Sequence, residues 1–66
     1  MTGEELKRAR QLKGFTQRKL GELLGYKDCS AERIVQLWEH NDRDIPLQHF
    51  RKLSKLLEIP LEKFIP

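Results

Sequence analysis

The chain has 66 residues, enough for one small domain. Roughly 40% of the surface of the unfolded chain would stay exposed after folding, so the core is small and an enzyme cleft is not expected. Hydrophobic residues make up 38% and charged residues 35%, as in a compact helical domain, while a net charge of +3 favours a polyanionic partner. Because the sequence has neither an apolar run of about 20 residues nor an apolar signal region, we expect a cytoplasmic protein without a membrane span.

The first two predicted helices run over about residues 3–13 and 17–24. The opening TGEE is a capping box, in which the hydroxyl of Thr2 accepts from an amide of the first turn. Gly14 is expected to end the first helix, and Thr16 to cap the second. The apolar residues at helical spacing predict the core-facing stripes, which are Leu6 and Ala9 on the first helix and Leu20, Leu23 and Leu24 on the second.

The third predicted helix has an open start. Ser30 is the better N-cap candidate, and Asp28 is the alternative. From residue 31 onward, helical spacing puts one group of residues on the core face: Ala31, Ile34, Val35 and Trp38. The opposite face carries a second group: Arg33, Gln36, Leu37 and His40.

A loop, HNDRDIP, separates the third helix from a fourth helix that has Pro46 in its first turn. Ile59 precedes a proline and should be non-helical, which leaves residues 61–65 as a final short helical turn. No segment alternates as a strand does, so the predicted fold is a single all-α domain of five helices over residues 1–66. The apolar stripe of the fourth helix is Leu47, Phe50, Leu53, Leu56 and Leu57.

Three segments, LKRARQLKGFTQRKLGELLG, VQLWE and DIPLQHFRKLSKLLEIPLEKFI, together resemble the phage-repressor and Cro-like (XRE) helix-turn-helix domains. The resemblance covers nearly the whole chain and implies a compact repressor-like fold with its helix-turn-helix motif at about residues 16–41. It further implies a sequence-specific regulator of transcription, acting as a repressor, that binds double-stranded DNA. In this family the third helix enters the major groove.

The sequence departs from the family pattern at two places. Gly21 stands where the family prefers alanine, at the close crossing of the second and third helices. Nine steps separate Tyr26 from the next clear core residue, Val35, where the family needs about five, so about four residues are inserted. Because four residues are close to one helical turn, the insertion either lengthens the loop YKDCS or adds a turn before the third helix.

The resemblance also assigns roles to side chains. Arg10 and Glu39 match the family's internal ion pair between the first and third helices. Arginine and glutamine can read guanine and adenine, glutamate can accept from cytosine, and leucine can contact a thymine methyl group. The candidate base-contacting residues are Glu32, Arg33, Gln36 and Leu37. The candidate phosphate-contacting residues are Gln17, Arg18, Lys27, Ser30, Asn41 and Arg43.

No residue pattern indicates an enzyme, a metal site or a cofactor. Cys29 is a lone thiol, and the sequence has no paired acid and base or nucleophile constellation. His40 and His49 are expected to be surface residues, and Trp38 to pack in the core.

Two kinds of partner remain open. A DNA-binding regulator of this class is expected to form a homodimer on a palindromic site, through apolar residues near the carboxyl end: Leu57, Ile59, Leu61, Phe64 and Ile65. The alternative is a protein-interaction adaptor or antitoxin with the same fold, which Leu37 on the polar face would favour.

Overall fold

The computed structural model describes residues 1–65; Pro66, the last residue of the predicted domain, lies outside them. The α-helices are α1 (Gly3–Leu12), α2 (Gln17–Leu23), α3 (Asp28–Glu39) and α4 (Phe50–Leu57). Short 3-10 turns lie at Leu47–His49 and Leu61–Lys63, and no strand occurs between residues 1 and 65. The all-α prediction is therefore confirmed, but the predicted fifth helix is only a 3-10 turn.

The predicted caps of the first two helices are present. The amide of Glu5 donates to the Thr2 hydroxyl at 3.2 Å, and the Thr2 amide donates to the Glu5 carboxylate at 3.0 Å. The amide of Thr2 and its hydroxyl, which donates to the same carboxylate oxygen at 3.1 Å, lower the pKa of the Glu5 carboxyl because both stabilise its charged form. The Thr16 hydroxyl accepts from the amide of Lys19 at 3.0 Å. Each cap satisfies a donor that the helix itself cannot.

All four α-helices end in the same way. A residue with positive φ follows each helix, and the next amide donates to a carbonyl five residues earlier, as in a Schellman motif. Glycine is the usual residue at this left-handed position, but only two of the four helices have it there. The ends of the other two helices could therefore not be predicted from the positions of glycine in the sequence. The four residues are Gly14, Gly25, Asn41 and Glu58.

The predicted start of α3 is wrong in both of its alternatives. The helix begins at Asp28 after an extended Lys27, and no side chain caps it. Ser30 cannot be the N-cap because its amide already donates to the Lys27 carbonyl at 3.1 Å, within the first turn. The inserted residues therefore add a helical turn before the segment that was expected to start the helix.

The core lies where the four helices meet. Its fully buried side chains include Leu6, Leu20, Val35 and Leu53, and Trp38 is also buried, as predicted. Leu47 is the exception on the predicted stripe of the fourth helix, because 79% of it is exposed. The 3-10 turn at Leu47–His49 has about three residues per turn, which rotates Leu47 away from the face that α4 presents to the core.

Two further expectations fail at the carboxyl half. Leu57 and Phe64 are buried in the core, with 3% and 4% exposure, so they do not form a surplus of apolar surface for a dimer. Ile65, with 54% exposure, remains on the surface. His49 is buried rather than exposed, because the 3-10 turn directs it toward Tyr26 and Trp38, while His40 is exposed as expected.

Candidate nucleic-acid interface

The crossing of α2 and α3 depends on a glycine. A methyl group at Gly21 would lie 2.6 Å from the Cα atom of Ala31, well inside van der Waals contact. Gly21 and Ala31 are both buried, so the two backbones meet directly. This close approach fixes α3 across α2 and leaves the other face of α3 turned outward.

A buried ion pair ties α1 to the carboxyl end of α3, as predicted. The Nε atom of Arg10 lies 2.6 Å from Oε2 of Glu39, and the two side chains are 9% and 3% exposed. Arg10 also donates to the Phe15 carbonyl at 2.8 Å, which connects the pair to the turn before α2. Removing one partner would leave a buried charge uncompensated, at a cost of about 3 to 5 kcal/mol.

Two glutamines extend this network to the outward face of α3. The Gln17 amide donates to Oε1 of Glu39 at 3.0 Å, and its carbonyl oxygen accepts from the Gln36 amide at 3.3 Å. Gln36 therefore has one N–H group bound inside the protein, while its carbonyl oxygen and second N–H have no partner within residues 1–65. The network holds the side chain of Gln36 in one orientation.

An aromatic cluster supports the turn between α2 and α3 from behind. The hydroxyl of Tyr26 and Nε2 of His49 are 3.0 Å apart, and the rings of Tyr26 and Trp38 pack edge to face with centroids 6.1 Å apart. Burial lowers the pKa of the His49 imidazole, and the positive charge of Lys52 lowers it further. His49 is thus stabilised in its neutral form against the turn.

The candidate base-contacting residues all lie on α3, but they differ in exposure. Glu32 and Arg33 are exposed, and neither forms an ion pair with another described residue. Gln36 and Leu37 are half-buried. Because the helix runs from Asp28 to Glu39, Arg33 lies near its middle and not in its first turn.

The candidate phosphate-contacting residues form no single cluster. Lys27, Ser30 and Arg43 are exposed, and the two cations among them have no ion-pair partner in the described part of the chain. Asn41 has a structural contact, because its side-chain oxygen accepts from the Gly3 amide at 3.0 Å.

Arg18 and Gln17 are the candidates that already have side-chain partners on this face. Arg18 is paired with Glu22 and Asp28, and both ends of the Gln17 amide bind inside the protein. Both residues were predicted to contact phosphate, and none of these partners was predicted, although the i,i+4 spacing of Arg18 and Glu22 on α2 is a local signal for that pair. No local pattern links residues 17 and 36 or 18 and 28, since those contacts arise only when α2 and α3 cross.

Comparison with known proteins places this arrangement of helices in a family. A family model described as helix-turn-helix matches residues 6–64. The chain belongs to the phage-repressor and Cro-like (XRE) helix-turn-helix family. No curated protein and no solved structure matches it.

Membership of the XRE family makes this chain a DNA-binding helix-turn-helix domain of the regulatory kind. In such domains the recognition helix is the second helix of the motif, here α3, and its outward face is presented to DNA. Among residues 1–65, no helix is long and apolar enough to cross a membrane, and no three potential metal ligands come together.

Proposed function

We propose that this chain is a sequence-specific, double-stranded DNA-binding repressor of transcription that reads the major groove with α3. The observation that carries the proposal is the orientation of Gln36. Its amide is held by Gln17, and its remaining donor and acceptor have the arrangement that pairs with the N7 and N6 atoms of adenine. A side chain fixed before binding loses less entropy when it forms such a contact.

Arg33 supplies a second reading group. It projects from the exposed face of α3, three residues before Gln36, and no carboxylate within the described residues neutralises its guanidinium. An unpaired arginine can donate two hydrogen bonds to guanine. Glu32 and Leu37, on the same helix, would complete the surface that contacts base edges.

Selection of bound sequences from a random pool of double-stranded DNA tests the proposal. A repressor of this kind should enrich a palindromic consensus whose half-sites are about one helical turn, or 34 Å, apart. Gln36→Ala should lose preference at one base pair in each half-site. Gln11→Ala is the control, because Gln11 is exposed on α1, and it should select the same consensus as wild type. A pool without enrichment would overturn the proposal.

A homodimer would use apolar surface near the loop that follows α3. Leu47 is 79% exposed and lines a cleft of about 460 Å³ together with the half-buried Phe50, and Ile65 is 54% exposed near the carboxyl end. We propose that a second copy of the chain covers this surface. In DNA-bound dimers of this class, the two recognition helices meet successive major grooves of one site.

Sedimentation equilibrium tests this dimer with a matched pair of variants. Leu47→Gln should shift the protein toward monomer, because it removes apolar surface from the proposed contact. Leu12→Gln should leave association unchanged, since Leu12 is 86% exposed on α1, outside the proposed contact. A wild-type protein that stays monomeric at high concentration and binds DNA as one chain per site would contradict the dimer.

The alternative is a protein-binding adaptor or antitoxin with the same fold, for which Leu37 is the supporting feature. Leu37 is half-buried, so it offers only part of its apolar surface to a partner. Salt distinguishes the two functions. DNA binding should weaken steeply as salt is added, whereas docking through apolar contacts should change little.

A further inference from the structure

The guanidinium of Arg18 is shared by two carboxylates. Its Nε atom lies 3.3 Å from Oε2 of Glu22, one turn further along α2, and its Nη2 atom lies 3.5 Å from Oδ1 of Asp28. The second contact joins α2 to the first residue of α3. One positive charge on the surface proposed to meet DNA thus lies beside two negative charges.

Asp28 belongs to the helical turn that the insertion adds. It has a left-handed backbone, with φ of 52°, and its side chain does not cap α3. The side chain is 84% exposed, so it contributes nothing to the core. Arg18 is the only cation within residues 1–65 with which its carboxylate forms an ion pair.

We propose that Asp28 is a positioning residue that restrains Arg18 and thereby limits the affinity of the protein for the DNA backbone. This inference rests on the proposed function. A phosphate that binds Arg18 must replace the carboxylate of Asp28 or accept it as a close neighbour. A phosphate bound to Arg18 would lie closer to the Asp28 carboxylate than the screening length of about 10 Å at 0.1 M salt. The two negative charges would therefore repel each other.

The restraint should act on every DNA sequence alike, because contacts to phosphate carry no sequence information. Asp28→Asn keeps the size of the side chain and its tolerance of a left-handed backbone, so the start of α3 is retained. It removes one of the two negative charges beside Arg18. Because Glu22 binds the Nε atom, the Nη2 atom of Arg18 then becomes free to contact one more phosphate. The slope of log affinity against log salt should then steepen by about 0.9. The affinity of the variant relative to wild type should therefore be about eightfold higher at 0.1 M salt than at 1 M salt.

A double-mutant cycle separates the restraint of Arg18 from a general effect of charge. In an Arg18→Gln background, Asp28→Asn should change affinity by less than about twofold, because the residue that it frees is absent. Glu4→Gln is the control with the same change in net charge, since it breaks the exposed Glu4–Arg8 pair on α1. It should likewise alter DNA affinity by less than about twofold, as expected for an exposed pair outside the proposed interface.

The measurements are salt titrations of binding to the selected site and to random DNA, with thermal unfolding of each variant. Equal affinities for wild type and Asp28→Asn would overturn the inference and leave the proposed function intact. A loss of affinity confined to the selected site would also overturn it, because Asp28 would then read a base. Absence of DNA binding by the wild type would overturn the proposed function, and the inference with it.

Discussion

Gly21 shows how a single residue sets the distance between α2 and α3. The backbone of Ala31 occupies the space that a methyl group at this position would need. The turn added before α3 includes residues 28–30, directly ahead of this contact. Gly21 therefore permits the close approach of α3 to α2, because a side chain at this position would meet the backbone of Ala31.

Gly21→Ala should therefore destabilise the protein. Helix propensity alone would favour alanine by about 0.5 to 1 kcal/mol, whereas overpacking of a close contact typically costs about 1 to 3 kcal/mol. We expect the second effect to be larger and the midpoint of thermal unfolding, followed by circular dichroism, to decrease by several degrees. Lys19→Ala, at an exposed position of the same helix, should stay within about 0.5 kcal/mol of wild type. A higher midpoint for Gly21→Ala would show that the helices can separate without cost.

His49 should make the stability of the domain depend on pH. Burial lowers its pKa below the ordinary value of 6.5, so the unfolded chain takes up a proton at a higher pH than the folded chain does. Stability from His49 is therefore complete above the unfolded pKa and is lost as the pH falls through the folded pKa. Protonation would also remove the lone pair with which Nε2 can accept from the Tyr26 hydroxyl.

Chemical unfolding measured between pH 7.5 and pH 5 tests this dependence. The free energy of unfolding should decrease toward low pH in the wild type, and His49→Gln should reduce the decrease. His40→Gln is the matched control, because His40 is exposed and should leave the pH profile unchanged. Identical profiles for all three proteins would refute the role of His49.

At the scale of the helices, local signals were sufficient for some boundaries and not for others. The Thr2 and Thr16 caps were predictable because capping depends on residues within one turn. The start of α3 was not, because it has no capping side chain and begins with Asp28 in a left-handed conformation. Leu47 was misplaced because a period of 3.6 residues was assumed through a 3-10 turn.

The same distinction holds for the candidate site. The Arg10–Glu39 pair was predicted from the family pattern, and it is present. The contacts of Arg18 with Asp28 and of Gln36 with Gln17 were not predicted, because each joins two helices and depends on the angle at which α2 and α3 cross. Sequence spacing identifies which residues share a face, but it does not identify what that face meets.

The added turn of α3 leads to a prediction about Cys29. The thiol is exposed at the amino end of this helix, next to Asp28 and beside the surface proposed to face DNA. A tightly bound site should therefore slow alkylation of Cys29, which is measured by mass spectrometry after a timed reaction with iodoacetamide. Random DNA under salt conditions that prevent binding is the control. Equal labelling with and without the selected site would mean that the added turn points away from DNA.

For the molecule as a whole, placement of charge matters more than its sum. A net charge of +3 attracts DNA only weakly at physiological salt, and some of the cations are paired with carboxylates within the protein. The cations without an ion pair in the described residues include Lys27 before α3 and Arg43 after it. We therefore expect the domain to contact the backbone at both ends of α3, with Arg33 between them reading a base.

This docking orientation can be tested by two arginines with different roles. Arg33→Ala should cost about 1 to 3 kcal/mol on the selected site, relax preference at one base position per half-site, and affect random DNA less. Arg43→Ala should weaken selected and random DNA about equally and lower the salt slope by about one unit per bound chain, because its loop can reach only the backbone. Both changes remove one positive charge, so each variant is the control for the other in salt titrations against both DNAs. If Arg33→Ala weakened all sequences alike while Arg43→Ala changed base preference, the added turn would have turned α3 in the groove, and the domain would dock on DNA in a different orientation from that of its family.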